Sequence, residues 1–438
     1  LYASKAGADV LAAGGNAVDA AIAVSFSLAV TLPRAGNLGG GGFMLIHDSA
    51  TGENTSIDYR EMAPVGATHD MYLDKEGNVD RDRAMFSHLA SGVPGTVAGL
   101  YQAHQQFGRL PWKRLLEAAI AQARYGVPVS FDLAEMLKSR QLRMCRNAAT
   151  CGYFYKDGGE PYAAGELLVQ SDLADTLERI ANEGPDGFYK GKTAELIVDE
   201  MKRGGGLVDA ESLIAYRAVD RKPVSGTYRG YEVVTMSPPS SGGVHVLQMI
   251  NTLEHFPFSK YGAGSADSIH LLAEVARLAY ADRSEYLGDP DYYDVPVEWL
   301  ISKEYGKELA ATIDMRKARE SKDVAPGVAP QPESPDTTHF SVIDADGSIV
   351  ATTTTLNFSF GSAISVAGAG FLLNNEMDDF VSKPGVPNAY GLLGGEANAI
   401  AAGKRPLSSM TPTIVLADGQ PWFATGSPGG SRIITSVL

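Results

Sequence analysis

The chain has 438 residues, which is enough for one large domain or two to three smaller ones. Its formal net charge of −15 argues against a nucleic-acid partner and against an anionic membrane surface. There are two cysteines, Cys145 and Cys151, and their spacing leaves a small-loop disulfide and two free thiols equally open. Because neither has metal-type spacing and the histidines are scattered, the sequence predicts no dedicated metal site.

Two helices open the chain. Residues 6–30 are helical in pattern, with a break at Gly14-Gly15 and Asn16 as the expected N-cap of the second helix. The apolar run at residues 20–30 is too short to span a bilayer and predicts a buried helix.

A glycine run at residues 39–42 precedes a strand at residues 43–48. A phosphate-binding loop would instead open a helix and would place a lysine near the phosphate. The sequence therefore predicts a glycine corner at which backbones pack closely.

The middle of the chain supplies few chemical motifs. Residues 56–61 form a short strand that ends in charge, and the residues alone indicate that Arg60 is a surface ion-pair partner of Glu61 or Asp58. Ser241 precedes a predicted helix, but Gly-x-Ser-x-Gly is absent, so an N-cap is favoured over a serine nucleophile. The other predicted elements are helices at 97–107, 112–125, most of 131–200, 246–253, 268–280 and 303–318, a strand pair at 222–234, and a structural ion-pair network at 281–290.

The most informative stretch is a threonine-rich hairpin that follows a Pro-rich, charged linker at residues 320–335. Period-two alternation predicts a strand from Thr337, a turn at residues 344–347 and a return strand through residue 357. The hairpin places Thr337 opposite residues 354–356, with Thr353, Thr355 and Asn357 on one face. The residues alone permit a plain structural hairpin. They also permit a nucleophile, because a threonine freed by cleavage would carry its own α-amine base, with a reference pKa of about 7.7–8.0.

Five segments in order along the chain resemble the γ-glutamyltranspeptidase (glutathione hydrolase) family: residues 337–342, 356–357, 374–380, 405–410 and 426–432. The resemblance implies the four-layer αββα sandwich of the N-terminal-nucleophile hydrolases, where composition and pattern give only mixed helix and strand. It implies a precursor that cleaves itself between Asp336 and Thr337. Residues 1–336 would then be a large-subunit region and residues 337–438 a small-subunit region, together building one catalytic domain as a heterodimer. It further implies that family sequence is missing from both ends.

The resemblance also assigns roles to individual residues. Thr337 would be the nucleophile, Thr355 would tune it, and Gly429 and Gly430 would form the oxyanion hole. The substrate-binding side chains implied are Asn357, Glu376 and Asp379 for the α-ammonium group, and Arg60, Ser408 and Ser409 for the α-carboxylate. His339 is expected to be structural.

The Pro/Gly loop at residues 382–395 resembles the lid of Gram-negative members, in which Tyr390 would cover the pocket. The implied reaction is γ-glutamyl transfer from glutathione or related small compounds to water, amino acids or peptides, without a cofactor, in the periplasm or outside the cell. Two alternatives remain open: a glutaryl (cephalosporin) acylase on the same scaffold, and a non-catalytic or unprocessed precursor.

Overall fold

The computed structural model describes residues 1–320, 324 and 337–438. Its helices are α1 Tyr2–Ala12, α2 Ala17–Thr31, α3 Arg81–Phe86, α4 Thr96–Phe107, α5 Trp112–Tyr125, α6 Phe131–Met144, α7 Ala148–Phe154, α8 Ser171–Glu183, α9 Asp186–Tyr189, α10 Gly191–Gly204, α11 Ala210–Ala215, α12 Gly242–Leu253, α13 Ala266–Tyr286, α14 Val297–Leu300, α15 Lys303–Ala311 and α16 Arg432–Val437. Its strands are β1 Gly41–His47, β2 Asn54–Asp58, β3 Val127–Pro128, β4 Leu167–Leu168, β5 Val219–Arg221, β6 Val224–Tyr228, β7 Tyr231–Thr235, β8 Thr337–Ile343, β9 Ile349–Thr355, β10 Thr413–Ala417 and β11 Gln420–Thr425.

Two antiparallel sheets form the centre of the fold. The first has the order β5-β2-β1-β9-β8 and the second the order β11-β10-β7-β6. Alternate side chains of the facing strands interlock, as Leu45 and Ala351 of the first sheet join Ile414 and Leu416 of the second in one buried cluster. The two sheets therefore pack face to face.

Helices cover the outer face of each sheet. Met44 and Val350, on the outer face of the first sheet, lie in one buried cluster with α2, α4, α5 and α8. Val233 and Val415, on the outer face of the second sheet, pack with Leu247 of α12. The resulting order of helix, sheet, sheet and helix confirms the predicted αββα sandwich.

Helix α2 begins at a capping box. Asn16 Oδ1 accepts a hydrogen bond from the Asp19 backbone N–H at 2.9 Å, and Asp19 Oδ2 accepts one from the Asn16 N–H at 3.2 Å. Asp19 also accepts from the N–H groups of Arg109 and Leu110, each at 3.1 Å, and so joins α2 to the turn before α5. A cap of this kind contributes about 1 kcal/mol. The predicted break at Gly14-Gly15 and the predicted cap are confirmed.

The threonine hairpin has the predicted register. Strands β8 and β9 pair antiparallel with Thr337 opposite Thr355 and His339 opposite Thr353. The linker predicted at residues 320–335 lies outside the described residues, apart from residues 320 and 324. Asp336, the predicted residue before the cleavage point, also lies outside them.

The glycine run forms the predicted close approach between backbones. A Cβ on Gly40 would lie 2.1 Å from the Thr355 carbonyl oxygen, and one on Gly42 would lie 2.3 Å from that of Thr353. A real Cβ does not approach an oxygen this closely, so these positions admit only glycine without a backbone shift. The glycines thus let β9 lie directly against the start of β1.

Several boundaries differ from the predictions. Helix α12 begins at Gly242, four residues before the predicted start, and α13 continues to Tyr286. Helix α15 ends at Ala311, where residue 318 was predicted, because Ile313 and Met315 turn into the cluster around α12 and α13.

Cys145 and Cys151, whose pairing the sequence left open, form a disulfide. In the described ranges, no helix combines the length and the apolarity needed to cross a bilayer.

Candidate active site

A single cavity brings together most of the predicted site. It lies where β8, β9, the loop after β9, the lid loop and the start of α16 meet. The predicted residues that line it are Arg60, Thr337, Thr355, Asn357, Glu376, Asp379, Tyr390, Ser408, Ser409 and Gly430. Four further lining residues were not predicted, namely Leu392, Met410, Ser431 and Ile433.

Thr337 stands at the first position of β8 with its side chain facing the cavity. The residue is 7% exposed, and its Oγ1 lies 3.5 Å from Thr355 Oγ1 on the paired strand. Thr355 Oγ1 in turn accepts a hydrogen bond from the Asn357 N–H at 2.9 Å. A bond accepted there favours Thr355 as a donor toward Thr337.

Asn374 and Asn375 hold the loop that carries the acidic residues. The Asn374 side chain donates to the carbonyls of Gly39 and Gly92 at 2.8 Å, and its Oδ1 accepts from the Glu376 N–H at 3.0 Å. The Asn375 carbonyl accepts from the Asn357 side chain at 2.9 Å. Both amides are buried, so the positions of Glu376 and Asn357 are fixed by buried hydrogen bonds.

Arg60 follows β2 and is fully enclosed at 1% exposure. Its Nη1 donates to Glu376, its Nη2 donates to Asp379, and its Nε donates to the Pro406 carbonyl at 3.2 Å. The alternative, an ion pair between Arg60 and Glu61, is a weak contact, because the closest charged atoms of the two side chains are 3.9 Å apart. The guanidinium is therefore directed at the two predicted ammonium-binding carboxylates.

Carboxyl groups are in excess over cationic groups in this cluster. Glu61, Glu376 and Asp379 surround Arg60, and both Glu61 carboxylate oxygens lack a hydrogen-bond partner in the described ranges. Burial raises the pKa of Glu61 to about 7 and raises the pKa of Glu376 well above its ordinary value, while Arg60 opposes both shifts. An additional cation, such as a substrate ammonium group, would relieve this excess.

Ser408 and Ser409 form the opposite wall. The Ser408 carbonyl accepts hydrogen bonds from the N–H and the hydroxyl of Ser241, at 2.9 and 2.8 Å. Ser241 lies just before α12, but its hydroxyl makes no cap to that helix. The predicted capping role of Ser241 is therefore wrong: tertiary contact with the serine pair takes precedence over the local cap.

Gly429 and Gly430 lie in the turn before α16, with φ of 131° and 54°. Their carbonyls accept from the N–H groups of Arg432 and Ile433 at 3.0 and 3.1 Å. Within the described ranges neither glycine N–H has an acceptor, which leaves these donors available to an incoming oxygen. Gly430 lines the cavity, whereas Gly429 is not among the lining residues.

Tyr390 closes the cavity from the lid side. Its hydroxyl donates to the Asn357 carbonyl at 2.9 Å, and its ring lies 5.4 Å from that of Phe358 in an edge-to-face arrangement. A Cβ on Gly430 would meet the Tyr390 ring at 2.8 Å. The ring therefore lies directly on the Gly430 backbone. Among the described residues of the lid, Asn388 also reaches the Asp379 carboxylate at 3.5 Å.

His339 lies two residues along β8 from Thr337, on the same face of the strand, and is hydrogen-bonded to other hydroxyl groups. Its Nδ1 shares a hydrogen bond with Thr353 Oγ1 at 2.8 Å, and Nε2 shares one with Ser341 Oγ at 3.1 Å. Burial lowers its pKa to about 4, so the ring is neutral at neutral pH. These contacts agree with the structural role expected for it.

Comparison with known proteins finds relatives in the family that the sequence resembles. The family model described as gamma-glutamyltranspeptidase matches residues 3–438. The chain is 54% identical over 436 residues to a glutathione hydrolase proenzyme of Escherichia coli strain K12, covering 100% of this chain and 75% of that protein. A crystal structure of Helicobacter pylori gamma-glutamyltranspeptidase superposes with a TM-score of 0.73 at 46% identity, covering 74% of this chain and 92% of that one. An acylase proenzyme of Pseudomonas sp. strain SE83 is 40% identical over 442 residues, covering 100% of this chain and 76% of that protein.

The layered fold and its solved relatives define the class as the N-terminal-nucleophile hydrolases. Within that class, the chain belongs to the gamma-glutamyltranspeptidase family. The resemblance predicted from the sequence is thereby confirmed, and the acylases are the more distant relatives. The roles of the individual side chains stay predictions.

Proposed function

We propose that the protein transfers γ-glutamyl groups from glutathione or other small γ-glutamyl compounds to water, amino acids or peptides. The observation that carries the proposal is the composition of the cavity. A strand-initial threonine shares it with a buried guanidinium, two carboxylates and two serine hydroxyls. A γ-glutamyl donor is a zwitterion at its α-carbon, so its site needs fixed groups for both charges.

In the proposed mechanism, cleavage between Asp336 and Thr337 frees the Thr337 α-amine. That amine removes the hydroxyl proton as Thr337 Oγ1 attacks the γ-carbonyl carbon, and an ester forms while the leaving amine takes the proton. Water or an acceptor amine then attacks the ester and regenerates the threonine. The N–H groups of Gly429 and Gly430 would receive the developing oxyanion, and Thr355 would hold the nucleophile in line.

The two substrate charges are on the same α-carbon and would contact adjoining groups of the site. Asn357, Glu376 and Asp379 would take the ammonium group, and Arg60 with the serine pair would take the carboxylate. Arg60 is hydrogen-bonded to both Glu376 and Asp379, so the proposed carboxylate-binding and ammonium-binding groups adjoin each other, as two charges on one carbon require.

The proposal extends to processing and location. Residues 1–336 and 337–438 would become the large- and small-subunit regions of a heterodimer that builds one catalytic domain, and the Cys145–Cys151 disulfide supports a periplasmic or secreted location. The lid loop, with Tyr390 buried over the cavity, favours small γ-glutamyl compounds over polymeric ones.

The glutaryl acylase is the second candidate, because an acylase shares 40% identity with the chain. A glutaryl group has no α-amino group, and a site built for it would gain nothing from Glu376 and Asp379 in the lining. Initial rates with γ-glutamyl-p-nitroanilide and glutaryl-p-nitroanilide decide between the two. We expect faster hydrolysis of the γ-glutamyl compound, acceleration by a dipeptide acceptor, and loss of both reactions in Thr337→Ala. A preference for the glutaryl compound would refute the proposal.

A further inference from the structure

A second arginine stands directly behind the serine pair. Arg283 lies near the end of α13 and is 5% exposed. Its Nε donates to Ser241 Oγ at 3.0 Å, and its Nη2 lies 3.4 Å from Ser409 Oγ. The sequence placed Arg283 in a structural ion-pair network with its neighbours, and the observed contacts correct that prediction.

Arg283 is a buried cation that has no ion-pair partner among the described residues. Across the described ranges, no carboxylate lies within 4.0 Å of it, whereas Arg60, Arg221 and Arg405 each have at least one. Burial lowers the pKa of Arg283; the neighbouring Tyr280 and Asp379 oppose that shift, and Arg60 adds to it. An unpaired buried charge is costly, and the approach of an anion would relieve the cost.

The other groups around Arg283 do not supply that anion. His245 is fully buried, its two ring nitrogens have no hydrogen-bond partner in the described ranges, and its ring centroid lies 6.1 Å from that of Tyr280. Burial and the charge of Arg283 lower the pKa of His245 to about 3, so the ring is neutral. Tyr280 donates its hydroxyl proton to the Ser431 carbonyl.

The serine hydroxyls are arranged to donate into the cavity. Ser409 Oγ accepts from Arg283, and Ser408 Oγ accepts from the Met410 N–H at 3.1 Å. When an N–H group occupies a hydroxyl's lone pair, its O–H remains free to donate to another acceptor. Both residues line the cavity, so an anion that reached the two hydroxyls would receive two O–H donors, one of them bonded to a buried guanidinium.

From this geometry we propose that Arg283 is a positioning residue for the donor substrate's α-carboxylate. It acts through Ser409, whose hydroxyl it orients and polarises, and it supplies positive charge while Arg60 is shared with Glu376 and Asp379. The inference rests on the proposed function, since it names the group that receives the γ-glutamyl carboxylate.

The test is a comparison of two donors in two variants. The donors are γ-glutamyl-p-nitroanilide and its α-carboxamide analogue, which lacks the negative charge. For Arg283→Met we expect KM for the carboxylate donor to rise about 10- to 100-fold, the range of a charge-assisted hydrogen bond, with kcat changed less than about threefold. We expect kcat/KM for the carboxamide donor to change less than about threefold. Arg277→Met, on the same helix and paired with Glu274, should leave both donors unaffected.

Equal losses on the two donors would overturn the inference, because they would show that Arg283 only supports the Ser241–Ser408 contact. If Arg283→Met does not fold, Arg283→Lys replaces it. Lysine keeps the charge but cannot bridge Ser241 and Ser409, so carboxylate selectivity should fall partially, and unchanged selectivity would overturn the inference. If the unmodified enzyme fails to hydrolyse γ-glutamyl-p-nitroanilide, the proposed function itself is refuted, a result distinct from equal losses in the variant.

Discussion

Replacing Asp379 with asparagine isolates the charge proposed to bind the substrate ammonium group. The Asp379 side chain is 13% exposed and accepts a hydrogen bond from Arg60 at the cavity wall. Asparagine keeps the shape and one acceptor oxygen but removes the negative charge. A hydrogen bond to a charged group contributes about 1.5–3 kcal/mol, which corresponds to a loss of roughly 10- to 150-fold in kcat/KM.

The assay compares γ-glutamyl-p-nitroanilide with glutaryl-p-nitroanilide in the unmodified enzyme and in Asp379→Asn. The glutaryl compound lacks the amino group but keeps the rest of the donor. A loss of activity that acts through Arg60 or through the fold should occur with both compounds. A loss caused by the missing ammonium contact should occur only with the γ-glutamyl compound. We expect the loss mostly in KM, because the α-amino group lies several bonds from the reacting carbonyl.

Two results would refute this reasoning. An equal loss with both anilides would mean that Asp379 serves to hold Arg60 and makes no productive contact with the amine. A loss below about threefold with the γ-glutamyl compound would mean that the ammonium group is bound elsewhere.

Three further predictions concern the nucleophile, the glycine corner and pH. Thr355→Val should lower kcat about 10- to 100-fold with KM little changed, measured by steady-state kinetics, since the hydroxyl 3.5 Å from Thr337 is lost. Gly42→Ala should destabilise the fold by about 1–3 kcal/mol in thermal unfolding, whereas Gly66→Ala, whose Cβ would meet its nearest neighbour at 3.5 Å, should be neutral. Burial raises the pKa of Asp378 from 3.8 to about 7, so the folded state holds this proton more tightly than the unfolded chain. Ionisation of Asp378 should therefore lower the free energy of unfolding by at most about 4 kcal/mol as pH rises from about 4 to about 7. Above pH about 7 the contribution of Asp378 should no longer change with pH. Asp378→Asn should remove that slope from melting curves recorded at pH 5 and pH 8; parallel slopes in both proteins would contradict it.

The parts of the fold that the sequence predicted are those set by local chemistry. The capping box at Asn16 and the hairpin register of Thr337 against Thr355 depend on residues close together in the chain. The glycine corner could be predicted because only glycine tolerates the approach that the run implies. The four layers came from the resemblance, since periodicity does not say which faces pack together.

The parts that sequence reasoning missed depend on distant partners. Ser241 resembles a cap locally, but its partners are Ser408 and Arg283, 167 and 42 residues away. Residues 315–318, at the end of the predicted continuation of α15, are good helix formers, and the helix nevertheless ends earlier because Ile313 and Met315 pack into the cluster around α12 and α13. No pattern in the sequence pointed to Arg283, because its significance lies in the absence of a nearby carboxylate among the described residues.

The central claim is that Thr337 acts as a nucleophile with a free α-amine. Denaturing electrophoresis of the purified protein, followed by N-terminal sequencing of the smaller band, tests it most directly. The account predicts a fragment that begins Thr-Thr-His, at residue 337, and predicts that Thr337→Ala stays uncut. An uncut chain that nevertheless hydrolyses γ-glutamyl-p-nitroanilide, or an active fragment that begins at another residue, would contradict it.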